Sequence, residues 1–348
     1  VAVGASFAVA YQRPIALPEP QTVTNSLERD GSSFPTPALA SSGTRVAIGI
    51  SAAGILLWWA CRFHAASLPP EAPWEFSFSW FFATAFPIWW YFRGLARTSQ
   101  DLRPSIWRSG AFLVGVIAIY IVLQTHFEYL AEHMFFLNRL QHVVMHHGGP
   151  LLISLAWPWR TMLRGMPENI RRIAEGPAVG RFLRIMRQPL LAAVLFVGLV
   201  AFWLVPAIHF RAMLDPRLYL AMNWSMVVDG ILFWSLVLDP RPAAEAHVSF
   251  GVRAALSASV MFPQILIGAI IALSRNDLYA FYTWCGRIFP SISAMDDQNY
   301  GGLIVWIPPA MMSVMGLLLV LNALRLSEEA GQPAPADGDI SATSWTGR

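Results

Sequence analysis

Lysine is absent from the 348 residues, so all 24 basic side chains are arginine. That removes chemistry needing a side-chain amine, such as a Schiff base or the lysine of a nucleotide-binding phosphate loop. Two cysteines, Cys61 and Cys285, are too few for a zinc finger, an iron–sulfur cluster or a disulfide-rich scaffold. Charge is scarce as well. Only 13% of residues are charged, about half the usual share in a soluble domain. No Ser/His/Asp arrangement, glycine-rich phosphate loop or catalytic carboxylate pair emerges from the spacing. An ordinary soluble enzyme is excluded.

Apolar residues are plentiful instead: 55% of the chain is hydrophobic, and 15 Trp and 22 Phe suit many helix ends at a lipid–water interface. A membrane-crossing helix needs about 20 mostly apolar residues. Eight stretches meet or approach this: 44–63, 76–92, 106–124, 133–157, 190–209, 220–238, 250–273 and 303–324. The expected fold class is all-α, a polytopic membrane helix bundle of about seven to eight transmembrane helices. Residues 1–43 read as a flexible cytoplasmic arm, 44–63 as an extra N-terminal helix, 76–325 as a seven-helix domain and 326–348 as a disordered cytoplasmic tail.

Arginine positions give the orientation. Arg93, Arg97, Arg103 and Arg108 follow the second stretch, seven more lie between 160 and 187, and Arg241 and Arg253 follow the sixth. The opposite side has Arg211, Arg217, Arg275 and Arg287, together with the acidic Glu128 and Glu132. The excess of arginine on one side predicts that both termini are cytoplasmic. The basic segment 160–187 then sets topology, so membrane lipid is an expected partner and nucleic acid is not.

Ionisable groups at membrane depth are functional candidates by default. The fourth stretch concentrates them: Met134, Asn138, His142 and His146 are spaced four apart and share one helix face. Histidines at i and i+4 can hold one metal ion. Imidazole suits copper, zinc or iron, and a thioether such as Met134 or Met145 would favour Cu(I). His126 and His133 are further candidate ligands on the outer side. Asp229 is either an acceptor orienting His142 or His146, or a carboxyl that is neutral or paired with Arg139. Cys61 and Cys285 both fall at the outer face, where a disulfide, copper ligation and free thiols all stay open. Haem would need a second histidine at matching depth, and His209 lies too near the surface. Asp296 and Asp297 are expected to cap the last helix.

The segment His133-Met134-Phe135-Phe136-Leu137-Asn138-Arg139-Leu140-Gln141-His142, with Gly149-Pro150-Leu151-Leu152 after it, is similar to a signature helix of the CtaG family of cytochrome c oxidase assembly factors. Gly230-Ile231-Leu232-Phe233-Trp234 and Asp297-Gln298-Asn299-Tyr300-Gly301-Gly302 resemble two further family segments, in family order. The resemblance implies a copper-handling assembly factor for a haem–copper oxidase, in a bacterial inner membrane and without catalytic turnover. Copper would be held by His142, His146, His133 and His126, with Asp229, Asn138, Asp297 and Gln298 as supporting residues. The chain departs from the pattern in places. Asn138 stands where the family has its first histidine, Trp203-Leu204-Val205-Pro206 lacks a family histidine, and His146 and His147 are additional. An alternative follows from those losses: an accessory subunit of a larger respiratory or photosynthetic complex that has lost part of the metal site.

Overall fold

A computed structural model describes residues 37–69, 71–73, 75–241, 246 and 248–331. Most of the arm expected over 1–43 and the tail beyond 331 lie outside these residues. No strand occurs among the described residues, and a single isolated bridge pairs Pro73 with Thr125. The fold is all-α.

Helix α1 (Pro37–Phe63) is followed by α2 (Phe78–Ala96), α3 (Ile106–Gln124) and the short α4 (His126–His133). Next come α5 (Phe135–Val143), a π-helical turn (Val144–Gly148) and α6 (Gly149–Ala156), which run on without a break as one rod. Three short helices, α7 (Trp159–Gly165), α8 (Glu168–Ala174) and α9 (Pro177–Met186), lead to α10 (Pro189–Leu204) and α11 (Pro206–Leu214). The remainder are α12 (Pro216–Val237), α13 (Phe250–Leu273), α14 (Ala280–Cys285) and α15 (Ala294–Gly331). Local chemistry marks many of the starts. Pro189, Pro206 and Pro216 occupy first helical positions, where the missing N–H costs nothing. Thr125, Asp215 and Ser249 accept backbone N–H bonds from Phe127, Arg217 and Val252 at the heads of α4, α12 and α13.

Among the described residues, five helices are long and apolar enough to cross a membrane: Gly43–Phe63, Ile106–Gln124, Pro216–Val237, Phe250–Leu273 and Ala294–Glu329. Joining α9 to α10 across their 74° bend gives a sixth. By length and apolarity alone the described helices therefore supply five or six crossings, against the eight stretches marked in the sequence. The reasons are local. Stretch 190–209 breaks at Val205 into α10 and α11, α2 carries Pro87 and Arg93, and the 135–156 rod contains Asn138, Arg139, Gln141 and three histidines.

The rod is polar because it is central. It packs against α3, α12 and α15, and α13 and α15 form the most extensive helix pair beside it. Arg139 is 2% exposed and His146 fully buried, whereas Leu190, Leu273, Phe262 and Met311 are 66–79% exposed on the periphery. Large apolar side chains cover the outside of the helices while Arg139, His146 and His147 are buried between them. Such a surface suits a lipid surround, and the chain is a multi-pass membrane protein.

Candidate functional site

The π-helical turn contains both His146 and His147. An α-helix would set adjacent residues about 100° apart on its surface; in the looser turn both rings are buried and contact each other at a centroid distance of 4.6 Å. Such turns within α-helices recur at functional sites. Phe196 of α10 stacks on His146 at 4.2 Å and closes one side.

The hydrogen bonds of these rings have a determinable direction. The Gln264 amide nitrogen, 3.2 Å from His147 Nε2, can only donate. His147 Nε2 is then the acceptor, so His147 Nδ1 carries the proton and donates to His146 Nδ1 at 3.2 Å. His146 must in turn donate from Nε2 to Asp229 Oδ2 at 3.0 Å. The chain Gln264–His147–His146–Asp229 thus occupies all four ring nitrogens of the two histidines. His142 differs, because its Nε2 is buried without a partner. It borders a cavity of about 20 Å³ shared with Arg139, His146, His147, Met226, Gln264 and Pro309, so a buried guanidinium stands among the candidate donors. That volume admits one water-sized group or an ion.

The structure brings His142 and His146 together, and Asp229 orients His146. Arg139 does not meet Asp229; it donates to the Asn138 side-chain amide oxygen and lies over the Phe135 ring at 5.1 Å. The Asn138 amide nitrogen faces the Met213 sulfur at 3.9 Å. His126 and His133 stand apart on α4 and do not border the small cavity. His133 Nδ1 is 2.8 Å from the Tyr129 carbonyl oxygen, and His126 packs on the Tyr129 ring at 5.2 Å. Among the described residues, no group of three or more His, Cys, Asp or Glu side chains is placed to hold one metal ion. Met134 and Met145 are packed in the core, so the thioether at the cavity is Met226, which no spacing in the sequence singled out. His209 is fully buried within the protein and meets the Tyr282 hydroxyl at 2.9 Å. Cys61 and Cys285 are both free thiols.

Asp297 accepts from the backbone N–H groups of Phe135 and Phe136 at 3.1 and 2.7 Å and pairs with Arg287. It therefore caps the head of α5 from another helix, while Ser293 and Asp296 cap α15 itself. Gln298 accepts from Leu278 N–H at 2.7 Å and donates to the Ile271 and Asn276 carbonyls, closing the end of α13. Gly302 lets α15 approach α13: a Cβ there would stand 2.7 Å from the Gly268 carbonyl oxygen. Gly230 is the counterpart on α12, where any Cβ would overlap the His146 carbonyl oxygen. These motif residues seat α5 and the π turn against their neighbours.

The family of cytochrome c oxidase caa3 assembly factors matches residues 89–326. The chain belongs to this family. No curated protein and no solved structure is significantly similar to it. The matched span of the assembly-factor family contains the whole polar seam and all three motif segments, while α1 and the first half of α2 precede it.

Proposed function

We propose that the chain helps to assemble a caa3-type cytochrome c oxidase by holding and passing on copper at His142, without catalytic turnover. Membership of the family carries the assembly role. The copper reading rests on one observation: a buried imidazole nitrogen with no partner, beside a thioether, at a cavity of ionic size. Imidazole and thioether together suit Cu(I), which accepts low coordination numbers. His142 and Met226 would hold the ion, and His146 would join only by giving up a bond to Asp229 or His147. An open, exchangeable site of this kind suits transfer better than storage. The arginine bias supports a bacterial inner-membrane location with both termini in the cytoplasm and eight crossings, counting α2 and the 135–156 rod as spans shielded by their neighbours.

Deleting the gene in its host tests the role. The membranes should then contain caa3-type oxidase with haem but with depleted copper, and a His142→Ala allele should restore little of it. Full oxidase copper in the deletion strain would overturn the reading. Stoichiometric co-purification with a finished respiratory complex would instead favour the accessory-subunit alternative, which the Asn138 departure motivates.

A further inference from the structure

A second, larger cavity of about 470 Å³ opens where α4, α11, α12 and α14 meet. Cavities of this size take small organic groups. Glu75, Glu128 and Glu132 all line it, and no arginine does. Burial, with the neighbouring Glu75 carboxylate, raises Glu132 to about 7, and burial with both neighbours raises Glu128 well above the ordinary carboxylate range. Crowded acidic groups in a shared space are thus pushed towards their protonated forms, with His133 the one basic side chain on the lining.

Two further observations define what would relieve this. Trp80 and Phe281 present aromatic surface to the same cavity. Asn223 also lines it and is 1% exposed; its amide interacts with the Tyr219 hydroxyl, whose proton goes to Gln141, so the buried Asn223 side-chain oxygen has no donor. A buried acceptor left unpaired is costly, and a ligand supplying a donor would satisfy it. A bare metal ion does not fit this description, since no three of the ligating side chains converge on one point. Carboxylates together with aromatic faces are the recognition chemistry of organic cations.

We propose that this cavity binds an organic cation, a guanidinium or ammonium group on a short carbon stem. Its charge would face Glu128 and Glu132, its stem would lie against Trp80 and Phe281, and Asn223 would pair with its polar end. The cation comes either as a free small molecule or as an arginine or lysine side chain of a polypeptide.

The test uses the full chain, purified in mild detergent in metal-free buffer at pH 8, titrated calorimetrically with Nα-acetylarginine amide and with the acetylated tripeptide amide Gly-Arg-Gly. Nα-acetylcitrulline amide, the neutral isostere, serves as the control. Acetylarginine amide should bind at least tenfold more tightly than acetylcitrulline amide, and Glu128→Gln combined with Glu132→Gln should remove that preference. Tighter binding of the tripeptide points to a polypeptide source, and tighter binding of acetylarginine amide to a free small molecule. Equal binding of the cation and its neutral isostere, or no binding of either cation, would overturn the proposal. If the double variant fails to fold, the comparison of cation and isostere on the unmodified chain still decides. The copper reading involves other residues and survives either result.

Discussion

His142 and His146 are four residues apart and chemically identical, yet their surroundings divide them. His146 is bound on both nitrogens, to Asp229 and His147, so its position is structural as well as polar. His142 keeps one nitrogen unclaimed. Spacing revealed that the two rings share a face, while the sequence left Asp229 open between an acceptor for a histidine and a neutral or Arg139-paired carboxyl, and only packing places it on His146. The role of His147 was not legible, because it depends on a π turn that no residue pattern announces. Removing the acceptor should be costly. Asp229→Ala leaves the His146 N–H buried and unpaired, which should cost about 1–3 kcal/mol; Asp229→Asn retains an oxygen and should cost less, as thermal unfolding in detergent would show. At the larger cavity, Glu132 titrates near 7 in the fold and near 4.5 in the unfolded chain. The folded chain therefore holds the extra proton between those values. Stability should fall as pH rises from about 4.5 to about 7, by roughly 1 kcal/mol after screening by solvent, and then level off. Glu132→Gln should remove this part of the melting-temperature profile.

Among the elements, the 135–156 rod depends on residues far away in sequence. Its head is capped by Asp297 of α15, and its π turn is pressed against Gly230 of α12. The sequence assigned Asp297 to the cap of its own helix, a local expectation overruled by tertiary packing, since Ser293 and Asp296 already fill that role. The family-like motifs were visible as strings, but what they do becomes clear only once the helices are packed. Gly230→Ala would force α12 off the rod and should lower stability by about 1–3 kcal/mol. Asp297→Ala frees two backbone donors and strands Arg287, and should cost at least the 0.5–2 kcal/mol of an ordinary cap. Both are checked by thermal unfolding of the purified variants, and Asp297→Asn should recover part of the second loss. The bend between α9 and α10 belongs to this scale too. Arg181 and Arg184 lie on the short helix on one side of it, where the sequence had placed topology-setting charge.

For the whole molecule, low charge and long apolar runs were enough to predict an all-helical membrane protein, because lipid leaves few other solutions for the backbone. The number of crossings was harder to read. A helix surrounded by other helices no longer needs to be apolar, so the rod with the most polar residues is also the most buried one. Reporter fusions at either end should place both termini on the cytoplasmic side; opposite placement of the two would require an odd number of spans. The assembly-factor family fixes the context of the seam, and copper at His142 is the central claim. Cu(I) titration of the purified chain against a colorimetric chelator tests it most directly. The unmodified protein should retain about one Cu(I) per chain, His142→Ala should lose it, and His126→Ala should keep it. A protein that retains no copper, or a His142→Ala variant that binds as tightly as the original, would contradict the account.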